Sequence, residues 1–116
     1  MWEDNVPLSE TWKAMEELVD EGLVRNIGLC NMGVSMIRDV LNYARIKPSV
    51  LQIEGHPYLT QELLLKFCRT KGIAVTAFSN LGAYSYVPLG GATVEESVLN
   101  ETVIHEIAKK HNKTPA

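Results

Sequence analysis

Gln52, Glu54 and His56 are the first residues in this sequence whose types and spacing suit chemistry. Alternate side chains of an extended strand share a face, so these three line up on one side while Leu51, Ile53 and Gly55 turn to the other. A strand buried on both faces normally reads as an unbroken apolar run. Here three polar groups sit toward the strand's C-terminal end, the end that carries the ligand site in parallel α/β architectures. Either they bind a ligand, or they form a polar cluster in which each group satisfies its neighbours. Two other apolar runs end in a similar way, one in Cys30-Asn31 and one in Phe78-Ser79-Asn80. Asn31, Gln52, Ser79 and Asn80 could converge on one mouth. Their amides offer both donors and acceptors and suit a flat uncharged group such as a carboxamide. Phe78 offers a ring for stacking, or simply fills the core.

Other chemistries are absent. There is no GxGxxG or GxxxxGK[ST] phosphate loop, no HExxH, no Cys/His zinc spacing and no GxSxG elbow. No metal site is expected. His105 and His111 fall in a late helix, which leaves His56 as the only histidine at a strand end. The two cysteines, Cys30 and Cys68, have no CxxC spacing and read as reduced thiols of a cytosolic protein. A net charge of −3 without clustered Lys and Arg argues against a nucleic-acid surface. Met1–Asn5 has no basic start or apolar run, so no signal peptide is expected, and no segment is apolar enough to span a membrane. The expected compartment is the cytoplasm.

These residues need elements to hold them, and the chain reads as a repeated helix-then-strand unit. The first helix is expected to be capped at Ser9, with Leu8, Trp12, Met15 and Val19 on its apolar face. Glu16, Glu17, Asp20 and Glu21 occupy the remainder, and Gly22 stops it. A strand follows over 24–29. The second helix opens at Ser35, carries Met36, Ile37, Val40, Leu41 and Ala44 inward, and is broken by Lys47-Pro48 before a strand over 50–54. The third runs from a cap at Thr60, with Leu63, Leu64, Phe67 and Cys68 inward, to Gly72, and precedes a strand over 73–78. From Ser79 to Asn100 the chain is rich in Gly, Ser and Pro without sustained periodicity, and such a long loop is usually functional or disordered. A last helix from near Glu101 to near Asn112 puts Val103, Ile104, Ile107, Ala108 and His111 on one face. Helices alternating with short apolar strands imply parallel strands and right-handed crossovers. An open doubly wound sheet and a (β/α)8 barrel both fit.

The stretch Met15–Asn31 resembles the internal signature of the aldo-keto reductases. Its core, Arg25-Asn26-Ile27-Gly28-Leu29-Cys30-Asn31, fits that signature at every position. Met32 departs from it, standing where the family usually has Phe or Tyr. The blocks Lys47-Pro48, Gln52–Leu59, Gly72–Ser79 and His111–Ala116 follow in the family's order and spacing, so the resemblance covers almost the whole chain. Leu51–Cys68 and the long loop after Phe78 look most like the xylose reductase and aldose reductase branch.

The resemblance implies an α/β fold, part of a (β/α)8 barrel, with about three parallel strands and four helices. Residues 1–116 would be a central-to-late segment of that barrel, an incomplete domain. It also implies NADPH or NADH as coenzyme. Cys30, Asn31 and Gln52 would bond the nicotinamide carboxamide, and Phe78 would stack on the ring where many relatives have Tyr. Ser79, Asn80, Leu81 and Gly82 would contact the pyrophosphate, although relatives usually have Pro or Ser in place of Asn80. Residues 83–100 would fold over the coenzyme, with Gly90 and Gly91 allowing opening. No catalytic residue of the family is matched: Tyr43, Tyr58, Tyr84 and Tyr86 do not fit the proton-donor motif, and His56 does not fit the orienting histidine. The implied activity is reduction of small carbonyl compounds, sugar aldehydes such as xylose among them, in a longer protein. The alternative is a non-catalytic binding or regulatory product. A barrel of this type takes about 250 residues, and three strands cannot close, so the isolated chain is expected to be marginally stable or to associate with itself.

Overall fold

The computed structural model of the chain describes residues 5–116, so the amino-terminal reading falls almost wholly outside it. The described residues form seven regular elements: α1 (Leu8–Asp20), β1 (Gly28–Cys30), α2 (Val34–Tyr43), β2 (Val50–Glu54), α3 (Glu62–Lys71), β3 (Ala74–Phe78) and α4 (Thr102–Lys110). Three parallel strands make one sheet in the order β1-β2-β3. Gly28, Leu29 and Cys30 pair with Val50, Leu51 and Gln52. The chain divides into two compact units, one comprising the residues up to Ile53 with Glu62–Thr76, the other Glu54–Gln61 with Ala77–Ala116.

The first unit is helices on one face of a sheet. Its core joins Trp12, Ile37, Val40, Ala44 and Cys68 from the helices to Leu29, Leu51 and Ile53 from the strands. Leu51, on the central strand, is fully buried. The opposite face, with Cys30, Gln52, Ala74 and Thr76, is exposed. Period-two alternation thus separates a helix-covered side from an open one.

Several helix ends differ from the sequence reading. The α1 N-cap is Pro7, whose carbonyl accepts from the Glu10 and Thr11 N–H groups at 3.0 and 3.3 Å; Ser9 lies inside the helix. Gly33, not Ser35, is the N-cap of α2. Gln61, in the left-handed region, rather than Thr60, directly precedes α3. The α1 stop is as expected. Gly22 adopts φ +72, and the Gly22 and Leu23 amides return to the Val19 and Leu18 carbonyls at 3.0 Å, the Schellman pattern. Strand β1 begins at Gly28 rather than Val24, because the Val24 amide still bonds the helix carbonyl of Leu18. Met36 and Leu63 are exposed, lying just outside the sectors of their helices that meet the sheet.

Helix α2 ends at Tyr43, ahead of Lys47-Pro48, and a side-chain clamp accounts for the stop. The buried Glu16 carboxylate accepts the Arg45 and Ile46 amides at 2.7 and 2.8 Å, and the Trp12 indole donates to the Ile46 carbonyl at 3.0 Å. Arg45 also pairs with Asp20 at 2.5 Å. Glu16 was grouped with the exposed acidic residues of α1 on helical spacing. It is buried because it lies one turn beyond Trp12 and meets the free amides that follow α2.

The second unit has a thin apolar interior of Val98 and Ala108 beside a fully buried Ser97. The stretch read as an aperiodic loop is built from 3-10 turns at Ala83–Leu89, Val94–Glu96 and Val98–Asn100. A reciprocal capping box joins Thr93 and Glu96, and the Ser97 hydroxyl accepts the Leu99 amide at 3.2 Å. On α4, Val103 and Ile107 are exposed, and of the expected apolar face only Ala108 is buried.

Candidate coenzyme site at the strand ends

In the first unit the β1–β2 register sets Cys30 beside Gln52. Gly28 makes this approach possible, since a Cβ there would lie 2.7 Å from the Val50 carbonyl oxygen and closer still to Cγ1 of Val50. Directly after β1, Asn31 adopts φ +51, a conformation that asparagine tolerates better than most residues, and its amide donates to the Gln52 carbonyl at 2.9 Å. Cys30, Asn31 and Gln52 are all exposed. Among the described residues the Asn31 and Gln52 side-chain amides make no hydrogen bond. Asn31 follows the end of β1 and Gln52 sits in the middle of the adjacent parallel β2, with the donors and acceptors of their side chains free among the described residues.

The trio Gln52, Glu54 and His56 therefore divides. Glu54 and His56 bond each other, Oε1 to Nε2 at 2.9 Å, and satisfy the neighbour-paired reading. His56 Nδ1 is buried without a partner. Gln52 takes no part in that pair.

In the second unit Phe78 closes β3 half-buried, and its carbonyl accepts the Gly55 amide at 3.2 Å. Ser79 adopts φ +53 and its carbonyl accepts the Gly82 amide at 2.8 Å, which closes a tight turn. Asn80 and Leu81 are exposed on that turn. Gly82 takes φ +70, and a Cβ on it would come within 2.6 Å of Val98 Cγ2. Ser79 repeats the Asn31 device, a left-handed residue placed immediately after a strand. Strained backbone of this kind persists where its surroundings over-determine it.

Two cavities lie elsewhere. One of about 420 Å³ in the first unit is lined by the Trp12–Glu16 clamp, Lys13 and Tyr43. One of about 480 Å³ in the second is lined by Tyr58, Gly91, Glu95, Glu96 and Glu101. Neither includes the strand-end residues, because an exposed sheet face encloses no pocket. The Tyr58 hydroxyl donates to Glu101, and that bond, followed by burial, raises the phenol's pKa. Burial raises the Cys68 thiol. Both cysteines are free, Cys30 exposed and Cys68 buried.

Known proteins decide what this frame is. The model of the aldo/keto reductase family matches residues 1–116.

The chain belongs to the aldo/keto reductase family.

A probable NAD(P)H-dependent D-xylose reductase of Arthroderma otae is 53% identical over 114 residues, which are 97% of this chain and 35% of that protein. The NAD(P)H-dependent D-xylose reductase of Pachysolen tannophilus is 47% identical over 97% of this chain and 36% of its own length. Aldose reductases of Giardia lamblia and Schistosoma japonicum superpose with TM-scores of 0.80 and 0.79 at 44% and 42% identity, each over 97% of this chain. The chain spans about a third of the length of these relatives. Its strands and helices form part of a (β/α)8 barrel, which selects the barrel over the open doubly wound sheet.

Proposed function

We propose that this aldo/keto reductase segment serves NAD(P)H-dependent reduction of aldehydes and ketones, sugar aldehydes such as xylose among them. Its part is to hold the nicotinamide end of the coenzyme. The observation that carries this reading is the pairing of Cys30, the last residue of β1, with Gln52 in the middle of β2, with Asn31 following β1, all three exposed. The donors and acceptors there match a carboxamide, so the residues present fit the group. A thiol bonds more weakly than a hydroxyl, so Cys30 contributes less than Asn31 and Gln52. Phe78 offers its ring for stacking, and Ser79, Asn80, Leu81 and Gly82 face the pyrophosphate in this reading. The bound coenzyme would supply the hydride. The proton donor and the residues that tune it lie outside this segment. The names of the xylose reductase relatives support the substrate class. We place the protein in the cytoplasm on the strength of its two free thiols.

A second reading rests on the exposed sheet face at Cys30, Gln52, Ala74 and Thr76. Here the chain is a non-catalytic product that associates through the open half-barrel.

The test is to mix the 116-residue chain with NADPH, then add excess xylose or a simple aldehyde. The expected outcome is NADPH binding, seen as a change in coenzyme fluorescence that Asn31→Ala and Gln52→Ala each weaken, with no loss of nicotinamide absorbance. Turnover that tracks the purified chain would overturn the assignment of the acid elsewhere. No binding, together with concentration-dependent association, would favour the second reading.

A further inference from the structure

The β2–α3 connection carries a feature that coenzyme binding does not use. His56 and Leu59 exchange backbone hydrogen bonds at 3.3 and 2.8 Å, which closes a tight turn around Pro57 and Tyr58. The proline ring restricts the first of these central residues. The Glu54 carboxylate holds His56 at 2.9 Å, and the His56 ring meets Tyr58 edge-on, centroids 6.1 Å apart. Gln61 Nε2 donates to the Glu54 carbonyl at 3.3 Å and closes the connection behind them. Tyr58 thus projects from a turn fixed on both sides, although the residue is 55% exposed.

The Tyr58 hydroxyl donates to Glu101 Oε1. Glu101 is where the loop after β3 ends and α4 begins. It is the N-cap residue of α4, yet its side chain makes no capping bond to that helix. Its carboxylate faces Tyr58 instead. The carbonyl of Glu101 receives the Ile104 and His105 amides, and its own amide donates to Val98 at 3.1 Å. Tyr58 and Glu101 share the lining of one cavity with Gly91, Ala92, Glu95 and Glu96. At its other end the same connection is tied to β3 through Gly55 N–H and the Phe78 carbonyl at 3.2 Å.

We propose that Tyr58 and Glu101 form a latch that fastens the C-terminal foot of the 83–100 loop to the β2–α3 connection. Tyr58 is a positioning residue that acts on the loop through Glu101. The latch itself needs no coenzyme. Its consequence, slower release of a nicotinamide coenzyme held under that loop, rests on the proposed function.

The experiment is amide hydrogen exchange on the full 116-residue chain, wild type against Tyr58→Phe, which removes one hydroxyl and touches no atom of α4. An exposed charge-assisted bond predicts about threefold to tenfold faster exchange at Asn100, Glu101, Ile104 and His105. Amides of β1 and β2 should stay unchanged. Glu101→Gln keeps an acceptor and should retain most of the protection, whereas Glu101→Ala should reproduce Tyr58→Phe. If Tyr58→Phe does not fold, the two Glu101 variants decide on the same amides. Unchanged exchange at the loop foot, or equal acceleration throughout the chain, would overturn the latch. NADPH fluorescence on the same samples separates the two claims. Faster foot exchange without any NADPH binding keeps the latch and rejects the coenzyme reading. NADPH binding with unchanged foot exchange does the reverse.

Discussion

The two compact units are held by different physics. The first has a continuous apolar layer in which Ile37, Val40, Leu51 and Cys68 are fully buried between helices and strands. In the second, among the described residues, it is a serine that has no exposure, and the buried apolar residues are Val98 and Ala108. What organises it is polar: the Thr93–Glu96 box, the Leu99 amide to the Ser97 hydroxyl and Asn100 Nδ2 to the Val94 carbonyl at 2.5 Å within the loop, and Tyr58 to Glu101 across a longer separation. Non-directional burial fixes a layer, whereas directional bonds fix a loop that has too little apolar surface to fold by burial. The loop after β3 is accordingly ordered without helical or strand periodicity.

Mutations sharpen this contrast at decreasing scale. Leu51→Ala should be the most damaging, about 2–5 kcal/mol from lost burial and the cavity left behind, read from the chemical denaturation midpoint. A loss below about 1 kcal/mol would break the claim that the helix-facing layer holds the first unit. Glu16→Ala tests the directional tie inside that unit. It leaves two amides without their acceptor and should cost about 2–3 kcal/mol, with Glu16→Gln costing less because an oxygen remains. Equal losses for the two variants would mean that charge rather than hydrogen bonding holds the Arg45 and Ile46 amides. Gly82→Ala probes the second unit. The left-handed φ and the 2.6 Å approach to Val98 Cγ2 predict a loss of about 1–3 kcal/mol. Adding Val98→Ala should restore part of it, because the clashing methyl is gone. A strictly additive double variant would count against the close approach.

The resemblance was legible because it lies in local chemistry. Gly28, in the signature, approaches Val50 closely, and Gly22 and Gly72 take left-handed conformations at the ends of their helices. Strand β2 was readable to the residue, since alternation along 50–54 is a local period. Cap positions were less so. Ser9, Ser35 and Thr60 are competent caps, but Pro7, Gly33 and Gln61 occupy the ends, because where a helix begins depends on what the preceding chain must reach.

The sequence by itself determined the alternation of helix and strand, the family, and the polar and aromatic residue types that stand on or just after β1, β2 and β3. These are set by periodicity and by residue types within a few positions of one another. Only the tertiary structure decided how those polar groups are used. Gln52 is free while Glu54 and His56 bind each other. Glu16, on paper one of several exposed carboxylates, holds the amides beyond α2. Tyr58, which does not fit the proton-donor motif, finds Glu101 forty-three positions later. Each outcome depends on which distant group comes within hydrogen-bond reach, and separation along the chain carries no record of that distance.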